Sequence, residues 1–240
     1  MKLFQTEDHY YDHGMRDYAP QIRLLYYVII GILLAFSKVM WRWKVENPGE
    51  LEPEGETGSI IISNHTSMAE VVATVTHIVA SGRRVRPIMK SEFNKNSIVR
   101  WFFARVGGIP VDRGTADMKS LRRAQHALQR GEDVLIYPEG TRIRTDDQPV
   151  EVHGGFALIA SMAKADIVPI AVCGFRDITP QGHHLMRPMK TWIRCGERLR
   201  LASAPEGLKR KERIQLFEDE AIRRMYEVRD QLRDEHPGRR

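Results

Sequence analysis

The sequence predicts an α/β protein: a mixed, largely parallel sheet flanked by helices, with an N-terminal hydrophobic membrane-associating helix. Three observations carry this. Short apolar runs closed by turn residues alternate with helical patterns of ten or more residues, the signature of strand–helix–strand units. The run from Leu24 to Ser37 contains no charge. The composition, 42% hydrophobic and 28% charged over 240 residues, is that of a globular chain able to bury a sizeable core.

The first 21 residues are polar, rich in His and Tyr and without a period, and read as a loose arm. The charge-free run that follows is about 21 Å long as a helix, short of the roughly 30 Å hydrocarbon core of a bilayer. It ends in Trp41-Arg42-Trp43-Lys44, the aromatic and basic mixture that anchors a helix at a membrane interface. An interfacial or re-entrant helix is the first reading; a spanning helix and a buried core helix are the alternatives. Lys38, Arg42 and Lys44 would hold its exit on the cytoplasmic face. A cleaved signal peptide fits poorly, because the preceding arm is acidic as well as basic. The chain thus divides into an arm and membrane helix, residues 1–46, and an α/β domain with a C-terminal helix, residues 47–240.

Ser59 to Ser63 is an apolar strand, Val71 to Ala80 a helix, and Gly108 to Val111 a strand. Met118 to Arg130 is helical, with Leu121, Ala124 and Leu128 three and four apart. Asp133 to Tyr137 is a strand, Gly155 to Lys164 a helix, and Ile167 to Val172 a strand. Pro169 inside that last strand points to a sheet edge or a bulge. Thr191 to Leu201 supplies a late strand. Leu208 to Asp234 is a charged helix whose stripe of Ile214, Phe217, Ala221, Met225, Val228 and Leu232 packs on the domain.

Residues that can do chemistry cluster just after the strands, where open α/β sheets bind ligands. His65 and Glu70 flank a turn into a helix. If the helix begins near Ser67, imidazole and carboxylate can meet, and a histidine held by a carboxylate is a general base. Ser67-x-x-Glu70 is also a capping box, and on these residues alone the cap is the simpler reading. Gly107 to Gly114 and Tyr137 to Arg142 each close a strand and present an arginine, Arg113 and Arg142, together a bidentate receiver for phosphate or carboxylate.

In this order, Asn64-His65 with Glu70, Gly107 to Arg113, Tyr137-Pro138-Glu139-Gly140-Thr141-Arg142 and Val168-Pro169-Ile170 resemble the motifs of the glycerolipid acyltransferase family, most of all its 1-acylglycerol-3-phosphate (lysophosphatidate) acyltransferases. Two positions depart from the pattern: Glu70 stands where Asp is usual, and Tyr137 where Phe is usual. The resemblance implies that His65, oriented by Glu70, takes the proton of an acceptor hydroxyl attacking an acyl thioester. It places the acceptor phosphate on Arg113 and Arg142, gives Glu139, Gly140 and Thr141 the shaping of that pocket, and assigns Pro169 to the acyl-chain wall. The implied product is phosphatidate and the implied donor acyl-CoA or acyl carrier protein, with no cofactor and no metal. Another lysolipid acceptor, or a noncatalytic lipid-binding relative, is the alternative.

The net charge of +6 favours an anionic partner. A membrane surface fits it, whereas nucleic-acid binding would need a module or aromatic platform that the sequence lacks. Two cysteines, Cys173 and Cys195, exclude a disulfide framework and read as small buried hydrophobes.

Overall fold

A computed structural model describes residues 5–112, 117–180, 182–183, 185–203, 205 and 207–237. The helices are α1 (Glu7–Asp12), α2 (Pro20–Trp41), α3 (Met68–Ala80), α4 (Ser97–Val106), α5 (Met118–Gln129), α6 (Gly155–Ala163) and α7 (Arg210–Glu235). The strands are β1 (Lys44–Glu46), β2 (Ile60–Ser63), β3 (Val85–Lys90), β4 (Ile109–Val111), β5 (Asp133–Ile136), β6 (Ile167–Cys173) and β7 (Trp192–Cys195). They form one sheet in the order β1-β7-β6-β2-β5-β3-β4. Neighbours run parallel, except that β6 and β7 are antiparallel.

The apolar runs are continuous because the sheet is covered on both faces. Ile61, Leu135, Val168 and Ile170 point to the side of α2 and α3, while Ile60, Ile62, Val134 and Ile167 point to the side of α5, α6 and α7. Each fully buried side chain of this size stabilises the fold by about 1.5–3 kcal/mol. The helix after β2 lies on one face and the helix after β5 on the other, although the two strands are adjacent. Their carboxyl ends therefore flank an open crevice. Phe217, Ala221, Met225 and Leu232 bury the predicted stripe of α7 against the domain.

Four sequence expectations change. The N-terminal arm is docked, with Tyr10 and Tyr18 at 0% and 1% exposure. Arg84 and Arg86 are buried in and beside β3, and their guanidinium groups need acceptors that the sheet's own ladder does not provide. The arm supplies them: Arg86 Nη1 donates to the Tyr11 carbonyl at 2.8 Å, and Arg84 Nη2 to the Tyr18 hydroxyl at 2.8 Å. Glu132 bridges the pair, at 2.9 Å from Arg84 and 2.6 Å from Arg86.

The second change concerns Trp41 and Trp43, which are core residues at 2% and 3% exposure and not interface anchors. Trp43 Nε1 donates to Ser37 Oγ at 3.1 Å, and the Lys38 ammonium sits 3.2 Å from the Trp43 ring centroid. Third, of the two expectations for Pro169, a sheet edge or a bulge, the edge falls because β6 is internal and the bulge holds. Val168 and Pro169 face Gly196, Glu197 and Arg198 between the Ile167–Leu199 and Ile170–Cys195 pairs, a bulge that spares the missing N–H. Fourth, β3 and α4 are elements that the sequence reading does not include.

Candidate active site

The turn after β2 is built by side chains standing in for backbone. Asn64 Nδ2 donates to the Val172 carbonyl at 3.2 Å and its Oδ1 accepts from Val172 N–H at 2.8 Å, extending the β2–β6 ladder by one residue. The chain then bends at Thr66 and is extended at Ser67 (φ −152°, ψ 159°), the cap of α3. Because the helix starts only at Met68, His65 and Glu70 are not held on opposite sides of a continuous helix.

Glu70 is fully buried and accepts at both oxygens. Oε1 takes His65 Nδ1 at 2.6 Å and Thr66 N–H at 2.7 Å; Oε2 takes the Thr66 hydroxyl at 2.5 Å and Ser67 N–H at 3.0 Å. The cap and the histidine partner are thus one carboxylate doing both jobs through different oxygens. A carboxylate ringed by donors requires the proton of His65 on Nδ1, which leaves the Nε2 lone pair available. The His65 side chain retains 14% exposure.

The turn after β5 supports the same histidine. Tyr137 stacks on the imidazole, ring centroids 4.3 Å apart. Burial, reinforced by the charge of Glu70, pushes the Tyr137 phenol well above its ordinary pKa. Glu139 is 5% exposed and turned inward. Its Oε2 accepts the backbone N–H of His65 at 2.8 Å and its Oε1 the Tyr226 hydroxyl at 3.2 Å. Burial raises the Glu139 carboxyl pKa against the lowering effect of those two donors. Gly140 has φ +63°, a backbone region where glycine carries no Cβ penalty.

A groove of about 310 Å³ opens beside His65, lined among others by Met68, Lys90, Phe103, Tyr137 and Arg142. Gly140 and Thr141 line it too. Arg142 is exposed, and among the described residues neither its guanidinium nor the Lys90 ammonium has an ion-pair partner. Two cations without ion-pair partners in the same groove as His65 can hold an anionic group. Lys90, at the carboxyl end of β3, was invisible to motif reading because it belongs to no turn signature; only the placement of β3 reveals it. Next to the groove lies an apolar cavity of about 410 Å³ walled by Leu121, Phe156, Leu158 and Ile159. Ile88, Val111, Ile136, Tyr137 and Gly140 line both spaces.

Of the residues expected at the site, His65, Gly140, Thr141 and Arg142 meet in the groove, with Glu70 directly behind His65. Glu139 sits beneath the turn that carries His65. Pro169 lines neither space; it is buried in β6, where its carbonyl accepts Gly196 N–H at 2.8 Å. Arg113 lies outside the described residues.

The fold agrees with the comparisons. The acyltransferase family model matches residues 42–173, and the chain belongs to that family. Among named relatives, the 1-acyl-sn-glycerol-3-phosphate acyltransferase of Bacillus subtilis is 28% identical over 177 residues, 74% of this chain and 84% of that one. The chloroplastic 1-acyl-sn-glycerol-3-phosphate acyltransferase LPAT1 of Arabidopsis thaliana is 26% identical over 132 residues, 54% of this chain and 36% of that one. The crystal structure of the 1-acyl-sn-glycerophosphate (LPA) acyltransferase PlsC from Thermotoga maritima superposes with a TM-score of 0.61 at 21% identity, covering 88% of this chain and 83% of that one, a likeness of fold.

Proposed function

We propose that this chain transfers an acyl group from an acyl thioester, acyl-CoA or acyl carrier protein, to the free hydroxyl of lysophosphatidate, giving phosphatidate. The observation that carries the reading is the meeting of His65, Lys90 and Arg142 in one groove that adjoins an apolar cavity. His65 Nε2 takes the hydroxyl proton as the oxygen attacks the thioester carbonyl, and Glu70 stabilises the resulting imidazolium. Collapse of the tetrahedral intermediate breaks the C–S bond, and the proton passes from His65 to the departing thiolate. Lys90 and Arg142 hold the acceptor phosphate, and the apolar cavity receives an acyl chain.

The same reading puts the protein on a membrane surface, where its lipid substrates reside. The α2 helix is long and apolar enough to cross a membrane, but one face packs on the domain. The other exposes Leu24, Tyr27, Val28, Ile32, Phe36 and Val39 at three- and four-residue spacing. A helix with one face on protein and one apolar face outward suits an interfacial position, with the domain on the cytoplasmic side.

The test is thiol release from an acyl thioester by the purified protein in vesicles. Lysophosphatidate should support turnover, and a neutral monoacylglycerol or zwitterionic lysophosphatidylcholine should not. Equal rates with the neutral lipid would contradict a phosphate-reading groove.

A further inference from the structure

The Glu139 carboxylate is placed in a way that a substrate-binding role does not explain. It is 5% exposed, and both oxygens are occupied by the protein. One partner is the backbone N–H of His65 itself; the other is the hydroxyl of Tyr226, on α7. Tyr226 lies beyond residues 42–173, the segment that the family model matches. The His65 carbonyl is held as well, by Ile143 N–H at 2.7 Å, so the peptide units on both sides of the histidine are fixed by the turn after β5. Glu70 fixes the ring of His65; Glu139 fixes its main chain.

Resting on the acyl-transfer reading above, we propose that Glu139 and Tyr226 are positioning residues for His65, through which the C-terminal helix sets the place of the catalytic base. Tyr226 is half-buried and packs against the core to which Phe217, Ala221 and Met225 of the same helix belong, so its hydroxyl is delivered by an anchored element. Burial and Glu139 push the Tyr226 phenol up to about 12, so it remains a donor across the working pH range. The proposal needs an acceptor at position 139, but it does not need a negative charge there. A glutamine can accept His65 N–H through its carbonyl and offer its amide to the Tyr226 oxygen.

The experiment compares Glu139→Gln, Glu139→Ala and Tyr226→Phe in the full-length protein, reading kcat and both KM values. Glu139→Ala should lower kcat by about a hundredfold, the scale of a misplaced catalytic group, with the acceptor KM within about threefold of wild type. Tyr226→Phe should lower kcat by roughly threefold to tenfold with both KM values unchanged, since one of the two hydrogen bonds that hold the Glu139 carboxylate is lost and the other remains. Glu139→Gln should recover most of the rate that alanine loses. The His65 ring resonances, followed by NMR in detergent, read the same placement without turnover: Glu139→Ala and Tyr226→Phe should move them, Glu139→Gln much less. A wild-type protein inactive on lysophosphatidate would overturn the substrate reading, yet the resonances would still judge this one. Unmoved His65 resonances in Tyr226→Phe, or an acceptor KM raised by about tenfold in Glu139→Gln, would overturn the positioning role.

Discussion

The Tyr137 ring lies against the His65 imidazole, centroids 4.3 Å apart and planes 30° apart, and its hydroxyl is buried with no hydrogen-bond partner among the described residues. The ring braces the imidazole; the hydroxyl has no evident structural use. A buried, unsatisfied hydroxyl costs about 1–3 kcal/mol. Tyr137→Phe, which keeps the stack, should therefore raise the melting temperature, by roughly 2–4 °C for each kcal/mol recovered. A lower melting temperature would show that the hydroxyl is satisfied in solution.

Lys90 and Arg142 should divide acceptor recognition between them. A hydrogen bond to a charged group is worth about 1.5–3 kcal/mol, so Lys90→Ala or Arg142→Ala should raise the acceptor KM by at least about tenfold. Arg142→Lys should recover only part, because the planar fork is lost. Initial rates against lysophosphatidate concentration decide it; unchanged KM values in both alanine variants would move the phosphate site elsewhere.

Glu132 should be the keystone of the docked arm. Burial pushes its carboxyl pKa up, but Arg86, Arg84 and Arg130 outweigh burial and hold it below its ordinary value. Removing one partner from a buried ion pair costs about 3–5 kcal/mol, so Glu132→Gln should lower the melting temperature by something on the order of 10 °C. A depressed folded-state pKa gives stability that is complete above pH 4.5, the unperturbed value, and is lost as pH falls through the lower folded value. Melting curves across pH should show the wild-type advantage over Glu132→Gln shrinking below that point. A gap independent of pH would contradict the charge-based account.

Membrane attachment calls for point changes, not truncation. Deleting residues 1–43 would strip Tyr10, Tyr18, Trp41 and Trp43 from the core. Replacing Leu24, Ile32 and Val39 together by Gln touches only the outward face. Each side chain is worth about 1.5–3 kcal/mol when buried in lipid, so vesicle co-sedimentation should weaken by at least about a hundredfold. The melt should barely move, and undiminished co-sedimentation would place the lipid contact elsewhere.

The β2, β5 and β6 turns were legible in the sequence because their information is local: an apolar run, a turn, and a polar residue that follows. The stripe of α7 was legible for the same reason. By contrast, β3 carries Arg86 and Pro87 inside its span, which hides a strand from any apolar pattern. The arm looked loose because its partners, Arg84 and Arg86, lie more than 60 residues away. Trp41 and Trp43 carry an interfacial composition but a core environment, and only packing distinguishes the two. The Tyr226–Glu139 contact spans 87 residues and leaves no mark on spacing.

The central claim is that Glu70 acts on His65 and does not merely cap α3. Both roles use the same carboxylate, so Glu70→Gln should lower stability as well as rate, and a melt on that variant alone cannot separate them. Ser67→Ala separates them: it removes the hydroxyl that accepts Ala69 N–H at 3.2 Å and leaves the 2.6 Å contact of Glu70 with His65. Losing that cap costs about 1 kcal/mol of stability. The measurement is kcat for acyl transfer by Ser67→Ala and Glu70→Gln, each assayed well below its own melting temperature. The account predicts a near wild-type rate for Ser67→Ala and a loss on the order of 10²–10⁴ for Glu70→Gln. A Glu70→Gln enzyme as fast as Ser67→Ala would contradict it and leave Glu70 a helix cap.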